Sequence, residues 1–190
     1  IQKTLMTTAQ AERNIAAKTL AEHADLPGMD QLMREVPVIR DGFDLDDFGG
    51  TVEVGANNRG KIVDRFVKAV GSPLGSPWCA AFAMWCARGG GFDGDIAGAG
   101  ACKSIYEYGV AHQLVVSLPA RGDLVLFDFS DAGHQDFDHV GIIEKVVKLG
   151  PLVTLRTIEG NTRVANAKRD GVYRRLRVAR RSSLIFVRLV

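Results

Sequence analysis

Cys79 stands in the stretch "SPWCAAFAMWCARGGG", residues 76–91, while His139 opens "HVGIIEKV" and Glu159 and Asn161 fall in "TIEGNT". These residue types suffice for nucleophilic chemistry: a thiol, an imidazole to take or hold its proton, and a carboxylate or amide to orient the imidazole. A thiol reacts as the thiolate, so its surroundings decide whether it is a reagent or a packing group. Ser76 is a good helix N-cap and Pro77 suits the first helical position, which predicts a helix with Cys79 as its third residue. Free backbone N–H groups and the positive end of the helix dipole lie there, and both favour the thiolate. Residues 78–85 are apolar nearly all round, so this helix is expected to be buried and central, presenting only its first turn before the glycines 89–91 end it. Buried cysteines also serve as small hydrophobes, and this stretch alone leaves both readings open.

The partners of the thiol decide between them. Four histidines are available. His23 lies in a polar helical setting, His112 ends a short helical stretch, and His134 sits in the loop "SDAGHQDFD"; each has an ordinary surface explanation. His139 differs because it opens a strand directly after that loop, where a side chain is held rigid yet accessible. The strands "HVGIIEKVV" and "LVTLRTIEGN" flank "KLGP", and a three-residue turn containing Gly150 fits between them. Depending on the turn residues, His139 then pairs across from Glu159 or from Asn161, and either register puts all three on one face. An even-numbered turn would set His139 opposite Gly160 instead.

Around these residues, the chain separates into a helical part and a strand part. Residues 1–50 are rich in helix formers broken at Pro27 and Gly28, predicting a helical segment accessory to the core, with residues 51–190 as the main domain. "RDGFDLDDFGG", residues 40–50, spaces Asp44 and Asp46 like part of a calcium loop, but Gly55 stands where a bidentate Glu belongs, so a solvated loop is expected and no metal. Ile62, Val63, Phe66, Val67 and Val70 share one helical face. After Pro119 come five short β-branched or aromatic runs separated by turn residues, predicting an antiparallel sheet and an α+β fold with N-terminal helices packed on it.

An apolar content of 46% and a net charge of +2 describe an ordinary globular chain and give no argument for nucleic acid. Arg174, Arg175, Arg177, Arg180 and Arg181 crowd one stretch and are expected on a solvated strand face and turn. Cys79, Cys86 and Cys102 imply neither a disulfide framework nor a zinc site, and Cys86 and Cys102 are expected to pack. No apolar run reaches spanning length, so no membrane insertion is expected. The chain begins with Ile rather than Met, and a processed chain or excised domain is expected.

"EVGANNRG", "SPWCAAFAMWC", "ARGDLVLFDF", "DHVGIIEKV" and "TIEGNT" stand in an order and at separations that resemble those of the CHAP family, the cysteine, histidine-dependent amidohydrolases and peptidases, over about residues 52–178. The resemblance implies a papain-like α+β fold and hydrolysis of amide bonds in peptidoglycan, outside the membrane, by a protein of endolysin or wall-remodelling type. It implies Cys79 as nucleophile, His139 as general base and then acid, Glu159 as orienter of the imidazole, and Asn161 as a supporting polar residue. Trp78 is the expected substrate contact. No cofactor is implied, the partner is bacterial peptidoglycan, and a monomer is expected. Two alternatives are a papain-like peptidase acting on another amide and a wall-binding module that has lost turnover.

Overall fold

The structure is a computed structural model, and it describes residues 52–129, 137–164 and 167–190. The helical expectation for residues 1–50, with His23, Asp44 and Asp46, lies outside the described residues, as does His134. Among the described residues three α-helices precede a six-stranded antiparallel sheet: α1 (Lys61–Ala69), α2 (Cys79–Gly89), α3 (Cys102–Ala111), then β1 (Val115–Val116), β2 (Leu124–Phe127), β3 (His139–Lys148), β4 (Leu152–Thr162), β5 (Gly171–Arg180) and β6 (Leu184–Val187). This is the α+β arrangement expected, with the strands ordered β1-β6-β2-β3-β4-β5. The two-residue β1 is an addition to the five strands legible in the sequence.

The period-two alternation of the strands feeds a core on each side of the sheet. Val140, Ile142, Ile158 and Val172 pack with the buried residues of the helices, among them Phe66, Phe82 and Met84. Val125, Phe127, Ile143, Leu155, Leu184 and Phe186 gather in a second cluster whose buried members all come from strands. The sheet lies between the two clusters, which is why its central strand β2 is buried along its whole length. Helix α2 is the apolar-all-round helix of the sequence, with eight of its residues buried. It can lie directly on β4 because Gly160 has no side chain: a Cβ there would come within 2.7 Å of Phe82 Cβ and Trp78 Cζ3.

Two local features depart from expectation. Residues 73–76 form a turn, with the Ser76 amide donating to the Pro73 carbonyl at 3.2 Å, so Ser76 is not the cap. The helix starts two residues later, Trp78 occupies the N-cap and Cys79 is the first helical residue rather than the third. The β3–β4 hairpin also carries two irregularities, between Ile143 and Lys145 and between Val146 and Lys148. Near the turn Lys148 pairs with Thr154, whereas at the other end Ile142 pairs with Ile158. Each irregularity slips the register by one residue, and two slips restore the parity of an unbroken odd-numbered turn. The register at the Ile142 end, carried forward, sets His139 level with Asn161.

Candidate active site

Cys79 and His139 are both held at the ends of regular elements. Being the first residue of α2, Cys79 keeps its backbone N–H free of intrahelical bonding. His139 is the first residue of β3 and pairs with Phe127 of β2. Its Nε2 lies 2.8 Å from Glu159 Oε2, which assigns the other ring nitrogen, Nδ1, to whatever the thiol side of the ring meets. Glu159 has no exposed surface, and it accepts from Thr157 Oγ1 at 2.5 Å and from Arg177 Nε at 2.8 Å on Oε1, while Arg177 Nη2 donates to Oε2. Gly141 makes room for it, since a Cβ at that position would stand 2.8 Å from Glu159 Cγ.

The electrostatics follow from those contacts. Burial by itself would raise the Glu159 carboxyl, but the bonds from Arg177 and His139 outweigh it and bring the group down to about 2. For His139 burial opposes the charged ring, yet hydrogen bonding to Cys79 and Glu159 and the charges of both raise it to about 9. The Cys79 thiol is held well below the usual thiol range: the Cys102 thiol is the largest cause, burial opposes it, and the His139 imidazole and the Ala80 amide add to the lowering. Cys86 is the contrast within the same helix, where burial alone pushes the thiol up. The surroundings therefore favour the thiolate on Cys79 and the imidazolium on His139, backed by a buried carboxylate.

Cys79 opens onto a cleft of about 600 Å³ lined by Ser72, Ser76, Pro77, Cys102, Phe137 and Asp138, among others. Cys102 is the first residue of α3, so two helix N-termini meet at this cleft with their sulfurs 3.9 Å apart. Packing alone does not describe this cysteine. Trp78, expected to contact substrate, is instead fully buried: its ring stacks on Phe66 and its Nε1 donates to Glu53 at 3.0 Å. The exposed aromatic beside the imidazole is Phe129, 58% exposed, with ring centroids 6.3 Å apart.

Of the residues expected in the site, the structure brings His139 and Glu159 into direct contact and sets Cys79 beside the same imidazole. Asn161 adopts φ 54 at an irregularity between β4 and β5, and the imidazole bonds Glu159 rather than Asn161. His112 stacks on Tyr108 at the end of α3, as a surface residue would. Arg177, expected on a solvated face, turns its guanidinium onto Glu159 and over the Phe127 ring at 5.4 Å. The signal for it was strand parity: Leu155 pairs with Arg177 and Glu159 with Tyr173, so Arg177 shares a face with Glu159.

The site thus sets a thiol beside an imidazole that is braced by a buried carboxylate, on an α+β fold. The family model described as CHAP domain matches residues 71–161, and over that stretch the chain is similar to the CHAP family. The match spans Cys79, His139, Glu159 and Asn161 and is narrower at both ends than the resemblance drawn from the motifs. It indicates a hydrolase of the peptidoglycan amidase or peptidase type, acting on the cell wall. No curated protein and no solved structure matches the chain. Among the described residues no helix is long and apolar enough to cross a membrane.

Proposed function

We propose that residues 51–190 form a catalytic unit that cleaves an amide bond of bacterial peptidoglycan, either between muramic acid and L-alanine or within the stem peptide or cross-bridge, as endolysins and wall-remodelling enzymes do. The observation that carries this is the chain of contacts from Cys79 through His139 to a buried Glu159. Strands β5 and β6 lie beyond the family match yet complete the sheet, which supports a unit reaching past residue 161.

In this mechanism the Cys79 thiolate attacks the scissile carbonyl carbon, and the C=O π electrons move onto oxygen. The free N–H of Cys79 at the start of α2 is positioned to donate to that oxyanion. His139, protonated at rest, gives its Nδ1 proton to the leaving amine as the C–N bond breaks, leaving an acyl thioester. The neutral imidazole then takes a proton from water, which attacks the thioester and releases the thiolate. Glu159 stays ionised throughout and holds the ring, while Arg177 and Thr157 hold Glu159. Asn161 supports the same end of β4 from a neighbouring row.

Purified cell walls offered to the wild-type protein and to Cys79→Ala test the proposal. Wild type should clear the walls, and mass spectrometry of the fragments should find one class of new terminus: muramic acid, stem peptide or cross-bridge. Equal clearing by folded Cys79→Ala would overturn it. Cleavage of unrelated peptides with intact walls would transfer the mechanism to another amide.

A further inference from the structure

Cys102 packs with the buried core, as expected, but its position does more than fill space. It begins α3, lines the same cleft as Cys79, and brings its sulfur to 3.9 Å from the Cys79 sulfur. Cys86, the remaining cysteine, is fully buried two turns along α2. All three are free thiols. A disulfide needs sulfurs about 2.05 Å apart, so bond formation asks the two side chains to share a movement of roughly 2 Å. The turn before Cys102 is built of Gly98, Ala99, Gly100 and Ala101, which leaves the backbone there free of bulky side chains.

We propose that Cys102 is a resolving thiol for Cys79, so that peroxide converts the pair to a reversible disulfide and switches the hydrolase off without destroying its nucleophile. This rests on Cys79 being the nucleophile of the proposed reaction. In the first step the Cys79 thiolate attacks the O–O bond of a hydroperoxide; an S–O bond forms, the O–O bond breaks, and the departing oxygen leaves with a proton as water or alcohol. Cys79, oxidised by two electrons, is now a sulfenic acid. The Cys102 sulfur then attacks the Cys79 sulfur, the S–O bond breaks, and hydroxide leaves as water with the thiol's proton. With hydrogen peroxide, two thiols and one oxidant give one disulfide and two waters.

The two residues suit these unequal parts. Cys79 is the thiol whose surroundings favour the thiolate, and its hydrogen bond and charge, with burial, push the Cys102 thiol up. Oxidation of Cys79 removes that negative charge and releases Cys102 to react. Without Cys102 a sulfenic acid in this cleft proceeds to sulfinic acid, which thiols do not reverse.

The full chain, treated with stoichiometric hydrogen peroxide and then with iodoacetamide to block remaining thiols, gives the test after trypsin digestion. Arg88 separates the peptide 69–88, which carries Cys79 and Cys86, from the peptide 89–103, which carries Cys102. The expected product is those two peptides joined, with fragmentation assigning the link to Cys79, and wall hydrolysis lost on oxidation but restored by dithiothreitol. Cys102→Ser, normalised to its own untreated activity, should lose hydrolysis to peroxide and regain roughly a tenth or less, with Cys79 recovered as sulfinic or sulfonic acid. The proposal is overturned by finding no joined peptide while Cys79 alkylates, or by Cys102→Ser recovering as fully as wild type. Hydrolysis surviving in Cys79→Ser would instead overturn the assignment of the nucleophile, and the two failures stay separate because the link is read by mass alone.

Discussion

Glu159 holds its carboxylate 2.8 Å from the Nε2 of His139 while exposing none of its own surface. A buried carboxylate is costly unless paired and hydrogen-bonded, and this one meets both conditions through His139, Arg177 and Thr157. The contact fixes which ring nitrogen of His139 is engaged and raises the imidazole towards its charged form.

Glu159→Gln should fold, keep hydrogen bonding to the ring, and lose the charge that sustains the imidazolium. We expect kcat for wall hydrolysis to fall by about 10²-fold or more, with KM little changed, because orientation and charge at the base are lost while substrate contacts remain. A change confined to KM would place Glu159 in substrate binding instead.

The pH profile carries a second expectation. In the proposed mechanism the active form pairs a thiolate with an imidazolium, so activity should hold from the lowered Cys79 range up to His139 at about 9 and fall above it as the ring deprotonates. In Glu159→Gln the alkaline limb should move to lower pH. Cys102→Ala should shift the acid limb upward by removing the largest cause of thiolate stabilisation, whereas Cys102→Ser keeps a donor and should shift it less. The iodoacetamide alkylation rate of Cys79 against pH reads the acid limb directly.

Stability should depend on pH through the same pair. Glu159, brought down to about 2 in the folded state, contributes stability that is present above about 4.3 and lost as pH falls towards 2. His139, raised to about 9, contributes stability that is full below about 6.5 and lost as pH rises through 9. Arg177→Met removes the principal cation from a buried carboxylate and should cost roughly 3 kcal/mol at neutral pH, with acid unfolding starting at higher pH. Urea unfolding of wild type and variant at pH 3 and pH 7 would settle it; equal losses at both would disconnect Arg177 from the Glu159 charge.

Gly160→Ala tests how α2 is seated. The added methyl would stand 2.7 Å from Phe82 Cβ and Trp78 Cζ3, neither of which is a flexible chain end. Overpacking of this kind costs about 1–3 kcal/mol, and it should also reduce hydrolysis because the displaced helix carries Cys79. A lower melting temperature with unchanged turnover would mean that the start of α2 does not move.

The parts of this architecture written in local pattern were readable from the sequence. Strand alternation exposed β2 to β6, and parity was enough to put His139 and Glu159 on one face. It survived two register irregularities that nothing in "KLGP" announces, because two single slips cancel in parity. What local pattern misjudged was decided by packing. Ser76 has the chemistry of an N-cap but is taken up by the turn at Pro73, so the helix starts at Cys79. Trp78 looked available beside the thiol, yet its ring is the piece that fills the space above Gly160. Arg177 was one arginine in a basic strand until the register of β4 and β5 set it on the Glu159 face, and Cys102 acquires a neighbour only when two helix starts, distant in sequence, converge.

The strand order gives the molecule a timetable. Strand β6, the last to be synthesised of the six, does not lie at an edge but between β1 and β2, pairing with both. Until residues 184–187 leave the ribosome, β2 has one side unpaired, and β2 is the strand against which His139 is registered through Phe127. The thiol-bearing helix is translated some hundred residues earlier. Such long-range closure is a late and slow event in folding. A nascent chain therefore carries its cysteine well before it can hold the histidine in place, and on the proposed mechanism the ability to cut an amide waits for β6.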